Sequence, residues 1–301
     1  MRRTVALGGN NYRFYTQDLN AKSYERMLLG TDLRHAFERG ELQLHYQPLV
    51  DIATGKVVGA EALLRWHRQD YGMVPPAAFV PLLEETGLII AVGEWALKMA
   101  CIQSNAWREL GFADLFVAVN FSAQQFERKD FLEVVERTFK ETNFDPRFLE
   151  IELTEGTLMH QPEDTIKTLC ELKALGIRLS IDDFGTGYSS LSYLKRFPLD
   201  TLKVDQSFVG DIPDEPDAVA IVSAVIAMGH ALKLKIIAEG VETRGQMDFL
   251  RAMGCDIAQG YYMGHAMPHG EFVRLLQNGI QLESRQTTPL MNDSIATALV
   301  Q

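Results

Sequence analysis

The sequence predicts an α/β fold, a modified TIM-type (β/α)8 barrel whose first strand runs antiparallel to its neighbour. Three observations predict it. Short β-branched or apolar runs alternate with helix-periodic segments, the pattern of a mostly parallel sheet covered by helices. Eight such runs occur in a chain of 301 residues with 47% hydrophobic content. That length suits either two small domains or one barrel of about 250 residues. The first two runs are joined only by "DIATGK", too short for the roughly dozen residues of a parallel crossover, so these two strands should be antiparallel neighbours.

The elements follow in order. "LQLHYQPLV" from Leu42 and "VVGAEALLR" from Val57 form the opening pair. "PAAFVPLLEETG" and "LIIAVGEWALKMACIQSNAWREL" read as helices and lead to the strand "FVAVNFS" from Phe116. "QFERKDFLEVVERTFKET" reads as one helix before "LEIELTE" from Leu149. "PEDTIKTLCELKALG" precedes "RLSIDD" from Arg178, and "TLKVD" follows from Thr201. "DAVAIVSAVIAMGHALKL" leads to "KIIAEGV" from Lys235, and "RGQMDFLRAMG" leads to "DIAQGYY" from Asp256. Gly176 and Gly254 fall where helix C-caps belong.

The formal charge is −11, with 40 acidic against 29 basic residues. This argues against a broad electrostatic grip on long nucleic acid and leaves open a small anion bound through metal. Cys101, Cys170 and Cys255 are far apart and lack CxxC spacing, which suits a reduced, cytoplasmic chain with three buried thiols. "MRRTVALGGN" has too short an apolar stretch for a secretion signal. "AVAIVSAVIAMGHAL" at 218–232 is shorter than the roughly 18 residues of a membrane span and reads as a buried helix. No membrane segment is expected in this chain, although a longer parent protein is free to carry one. Residues 31–279 are expected to form the barrel, with 280–301 a polar, mobile tail.

Polar residues recur within or at the carboxyl ends of the strands: Glu61, Asn120, Glu152, Asp182 with Asp183, Lys203 with Asp205, Glu239 and Gln259. In a barrel those ends converge on one face, so the pattern gathers carboxylates that need cations to coexist. Hard oxygen ligands, with neither histidine nor thiolate among them, favour Mg2+ or Mn2+ over zinc. Two ions fit better than one, with Asp182 bridging and Asp183 turned toward the second. Lys203 would orient the attacking water or balance charge. Singly, each residue also reads as a solvated loop group or a helix N-cap, and Asn120 as the start of a turn. Asp205 and Glu242 stand equally for structure and for the site. His45 and His67 lack metal-binding spacing.

These residues sit in motifs that resemble the EAL-domain phosphodiesterases, which hydrolyse the bacterial second messenger cyclic di-GMP. The resemblance runs from about Thr31 to Leu276. It is carried by "YQP", "EALLR", "VNFS", "ELTE", "DDFGTGYSSL", "LKVD", "AEGVE" and "QGYY", all in order. The resemblance implies a first metal held by Glu61, Asn120, Glu152 and Asp182, and a second by the bridging Asp182 with Asp183 and Glu239. It implies catalytic roles for Glu61, Lys203 and Glu239, the last as ligand, general base or both. It places Gln47, Arg65, Gln259 and Asp205 at the dinucleotide, and makes Glu155 the tether of the loop "FGTGYSS", which in the family couples the site to a homodimer interface. The implied reaction is in-line attack of a metal-activated water, giving linear pGpG.

Departures are few: Gln206 where a basic residue is common, Gly156 for a usual serine, and "GHAMP" at 264–268 without the usual basic-Pro pair. The leader 1–30 resembles the end of a GGDEF-like domain with its linker helix, as in a piece of a sensor that is itself membrane-anchored or cytoplasmic. The alternative function is a catalytically silent cyclic di-GMP receptor. Such members typically lack a metal or lysine position, and here each is present.

Overall fold

The computed structural model describes residues 29–69, 71–185 and 191–280. The leader and the tail lie almost wholly outside these residues, as does most of "FGTGYSS". By their contacts the described residues divide into two units, the smaller built from those up to Gln43 with Arg65–Ile89, the larger from Leu44–Leu64 and those from Ile90 onward.

In the smaller unit, helix α1 (29–38) precedes the start of β1 (Leu42–Asp51), and the end of β2 (Val57–Arg68) turns into β3 (Gly72–Val74). β3 pairs antiparallel with β2, Trp66 opposite Val74. Helix α2 (Pro76–Thr86) starts with proline in its first turn, where a missing N–H costs nothing, and ends at Gly87 with φ of 73°. Its Phe79 meets the fully buried Trp66 edge to face at 5.8 Å. The indole N–H donates to Glu41 at 3.1 Å, which satisfies its one polar atom.

The larger unit is a closed eight-stranded barrel. Its further strands are β4 (Phe116–Phe121), β5 (Leu149–Thr154), β6 (Arg178–Phe184), β7 (Thr201–Val204), β8 (Lys235–Ala238) and β9 (Ile257–Ala258). The order is β1-β9-β8-β7-β6-β5-β4-β2, closed by pairing of β1 with β2. All neighbours from β2 through β4 to β9 run parallel, while β1 runs antiparallel to β9 with Val50 opposite Ala258. The short "DIATGK" turn enforces this, as the sequence predicts.

Alternation along each strand divides the core in two. Val117, Val119, Ile236 and Ala258 belong to the large cluster that includes side chains of the surrounding helices. Their chain neighbours Phe116, Ala118, Ile237 and Ile257 join Leu49 in a separate cluster, the filling of the barrel interior. Gly59 makes room for it, because a Cβ there would meet the Phe116 ring at 2.7 Å. The helices that follow include α3 (Leu88–Glu109), α4 (Ala123–Phe126), α5 (Phe131–Thr142), α6 (Glu155–Met159) and α7 (Pro162–Ala174). Among the described residues no single helix is long and apolar enough to cross a membrane.

The structure corrects three expectations. The segment read as one helix from Gln125 is two, α4 and α5, because Arg128 clamps Asp130 and that aspartate precedes the new helix. A ninth strand, β3, extends β2 as a hairpin too short to show periodicity. Cys170 is exposed, whereas Cys101 and Cys255 are buried and burial pushes both of those thiols up to about 12. A thiol reagent at pH 8 is therefore expected to titrate one cysteine in the native protein and all three after denaturation. Cys170→Ser should abolish the native reaction, and a native count of three would contradict the packing.

Candidate active site

The polar strand ends of the larger unit meet around one ammonium. Lys203, on β7, is fully buried, and its Nζ lies 2.6 Å from Glu239 Oε1, 2.7 Å from Glu152 Oε2, 3.1 Å from Asp182 Oδ1 and 3.7 Å from Glu61 Oε2. These carboxylates come from β2, β5, β6 and the residue after β8. Residues remote in sequence thus converge because each occupies the inward phase of its strand near the carboxyl end. Burial opposes the Lys203 charge, but Glu152, Glu239, Glu61 and Asp182 overcome it and hold the ammonium well above its ordinary pKa.

The adjacent aspartates reach one place through a break in the ladder. β6 and β7 pair as Ser180 with Thr201 and Ile181 with Leu202, then resume at Phe184 with Val204. Asp182 and Asp183 are therefore two residues facing one, a bulge across from Lys203. Regular pleating would send them to opposite faces. Instead Asp183 adopts φ of 54°, a left-handed conformation that aspartate tolerates better than most residues, and its N–H donates to Asp182 Oδ1 at 3.0 Å. As a result Asp182, Asp183 and Glu239 each offer an oxygen within 4.8 Å of the others.

Glu61 is held by amides. Asn120 Nδ2 donates to Oε1 at 2.6 Å and Gln259 Nε2 to Oε2 at 2.5 Å. Burial would raise this carboxyl, but Lys203 and the two amides hold it below the usual carboxylate range. Gln259 Nε2 also donates to Gln47 Oε1 at 3.1 Å, and Gln47 Nε2 to the Gly264 carbonyl at 3.1 Å. The two glutamines expected at the dinucleotide are thus engaged in orienting Glu61. Arg65 belongs to the smaller unit, four residues past Glu61 in the chain. Asp205 accepts from the Ser207 N–H at 2.9 Å and caps helix α8 (Gln206–Val209), and its charge also bears on Asp183. The structural reading of Asp205 as a helix N-cap is the one these contacts express. Glu155 is buried at the first turn of α6, where Oε2 accepts from the Gly185 N–H at 3.3 Å, the near end of the loop it was expected to tether.

The charge balance tests whether this set suits cations. Five carboxylates face one lysine. Burial first, then Glu61 and Asp182, push Glu152 well above its ordinary value; burial, Asp182 and Glu61 push Glu239 to about 8. Burial with Asp182 and Asp205 pushes Asp183 to about 6. Glu152 Oε1 is buried without a hydrogen-bond partner. An all-oxygen cluster that would otherwise take up protons, with an orphaned carboxylate oxygen inside it, fits hard divalent cations.

A lower polar layer escaped the sequence reading. Two residues before Glu152, Asp182 and Lys203 stand Glu150, Ser180 and Thr201, all buried. Thr201 Oγ1 donates to Glu150 Oε2 at 3.2 Å across the intervening β6, which places the contact inside the barrel. Burial pushes Glu150 to about 7. The strand period of two was the signal that pointed to this layer.

A model of the EAL domain family matches residues 31–266. The chain is 45% identical over 261 residues to the bifunctional diguanylate cyclase/cyclic di-GMP phosphodiesterase MucR of Pseudomonas aeruginosa, over 87% of this chain and 38% of that protein. It is 40% identical over 268 residues to the cyclic di-GMP phosphodiesterase NbdA of the same organism, over 89% of this chain and 34% of that one. The chain thus spans well under half of either relative. The solved structure of the PaMucR phosphodiesterase in complex with c-di-GMP matches with a TM-score of 0.80 at 45% identity, over 81% of this chain and 99% of that one.

Replacing the buried lysine exposes what it balances. In chelator, Lys203→Met is expected to lose about 3 to 5 kcal/mol of unfolding free energy in denaturant titrations, the scale for stranding buried charge. Added Mg2+ or Mn2+ should restore part of the loss, and a variant as stable as the parent in chelator would contradict the arrangement.

Proposed function

The chain belongs to the EAL domain family, and on that premise we propose that it is a metal-dependent phosphodiesterase that hydrolyses cyclic di-GMP to linear pGpG. The observation that carries the proposal is the convergence of Glu61, Glu152, Asp182 and Glu239 on the buried Lys203, with Asp183 brought alongside by the bulge. Glu61, Asn120, Glu152 and Asp182 would hold one Mg2+ or Mn2+, and Asp182, Asp183 and Glu239 a second. When bound, such ions polarise the phosphoryl group and acidify the attacking water.

The residues divide the remaining work. Lys203 is kept charged by its neighbours, so it is a hydrogen-bond donor and a fixed positive charge near the reacting phosphoryl group, and not a base. The water proton must then go to a carboxylate. Of the two nearest Lys203, Glu152 is 0% exposed and Glu239 is 17% exposed, so Glu239 is the one that solvent and substrate reach. A new P–O bond forms as water attacks, the P–O3′ bond breaks, and the departing 3′ oxygen takes a proton to become a hydroxyl. Asn120 and Gln259 keep Glu61 aimed, and Gln47 keeps Gln259 aimed. Glu155 holds Gly185, two residues from Asp183, and so steadies the strained end of β6.

Incubation of the purified chain with cyclic di-GMP and Mg2+ or Mn2+, with products resolved by chromatography, tests the reading. Linear pGpG is the expected product. Binding of cyclic di-GMP that leaves it intact would instead identify a receptor. Glu61→Ala should reduce turnover to background, and Glu155→Ala should lower it about 10- to 100-fold, the scale for losing a supporting contact. Near-normal turnover in Glu61→Ala would refute the site.

A further inference from the structure

An exposed aromatic pair lies just beyond Gln259. Tyr261 is 52% exposed, and among the described residues of the larger unit it is the one aromatic ring in the group of strongly exposed large apolar side chains. Its ring lies on the imidazole of His265, the centroids 4.0 Å apart and the planes inclined by 35°. The "GHAMP" departure from the family pattern thus supplies a flat ring under Tyr261.

The turn that carries the pair is rigid. Gly260 has φ of 154°, and a Cβ there would lie 2.2 Å from the Val241 carbonyl oxygen, so only glycine fits. The N–H groups of Met263 and Gly264 both donate to the Gly260 carbonyl at 3.1 Å, and that of Tyr262 to Val241 at 3.0 Å. The Gly264 carbonyl is the acceptor for Gln47, whose other amide atom accepts from Gln259, which in turn donates to Glu61. Three consecutive hydrogen bonds therefore connect the aromatic turn to a carboxylate of the site.

The carboxylates and their cations would act on a phosphodiester and carry no information about what the diester joins. A purine presents a π face, and stacking on a protein aromatic ring contributes roughly 1 to 3 kcal/mol per base. A preformed, rigid ring loses little freedom on binding. We propose that Tyr261, backed by His265, is a stacking shelf for one purine base of the substrate and so determines affinity for the dinucleotide. The proposal rests on the phosphodiesterase reading above.

Steady-state kinetics with cyclic di-GMP on the parent chain, Tyr261→Ala, Tyr261→Leu and Tyr261→Phe test it. Loss of the ring in the Ala and Leu variants should raise KM about 5- to 100-fold with kcat within about twofold, and Tyr261→Phe should stay close to the parent. His265→Ala should raise KM by a smaller factor. An unchanged KM in Tyr261→Ala overturns the shelf, as does a Tyr261→Leu variant that binds like the parent, or a fall in kcat with KM unchanged. If the parent chain binds cyclic di-GMP without turnover, dissociation constants from calorimetry take the place of KM and carry the same expectations. A parent chain that neither binds nor hydrolyses cyclic di-GMP overturns the functional reading itself, a result distinct from a selective failure of the variants.

Discussion

The larger unit is organised around an excess of negative charge inside a barrel. Glu61, Glu152, Asp182 and Glu239 surround Lys203, and Asp183 adds a fifth carboxylate. Such an assembly is unfavourable unless positive charge and hydrogen bonds balance it. The lysine supplies one part. Amides from Asn120, Gln259 and, at one remove, Gln47 supply another by holding Glu61 ionised. What is left over appears as raised proton affinity at Glu152, Glu239 and Asp183, and that remainder is what divalent cations suit.

The rest of the barrel serves to keep these groups from relaxing apart. Below them lie the Glu150–Thr201 contact and the apolar filling of Leu49, Phe116, Ala118, Ile237 and Ile257. Around them, the helices pack on the outward faces of the same strands. The bulge between β6 and β7 is a local irregularity with a direct chemical result. It turns a pair that pleating would separate into two ligands pointing one way, at the cost of a left-handed aspartate, and strain of this kind persists where surrounding structure enforces it.

Much of this was legible in the residue order. The hairpin length at "DIATGK" implied an antiparallel first strand, and the polar strand ends marked Glu61, Glu152, Asp182, Lys203 and Glu239 before any distance was known. The ordered motifs identified the family that the comparisons show. Other features were hidden for physical reasons. β3 is too short to carry a period, and one amphipathic stretch concealed the break at Asp130 because both halves keep apolar residues at helical spacing. Cys170 is exposed because solvent access depends on which way a helix is rolled, which its neighbours decide. The contacts by which Gln259 donates to Glu61 and to Gln47, and Gln47 to the Gly264 carbonyl, exist only once the barrel is closed. No pattern in the chain tells an amide that binds ligand from one that binds a carboxylate.

The sequence by itself determined the alternation of strands and helices, the reversal of the first strand and the chemical type of the site, because periodicity, loop length and hard-oxygen residues are local properties. Only the tertiary structure decided that four carboxylates share one ammonium, that Asp182 and Asp183 face the same way, and that the Tyr261 shelf is wired through Gln47 and Gln259 to Glu61. Those facts depend on ladder register, barrel closure and backbone strain, which arise when distant segments are brought together.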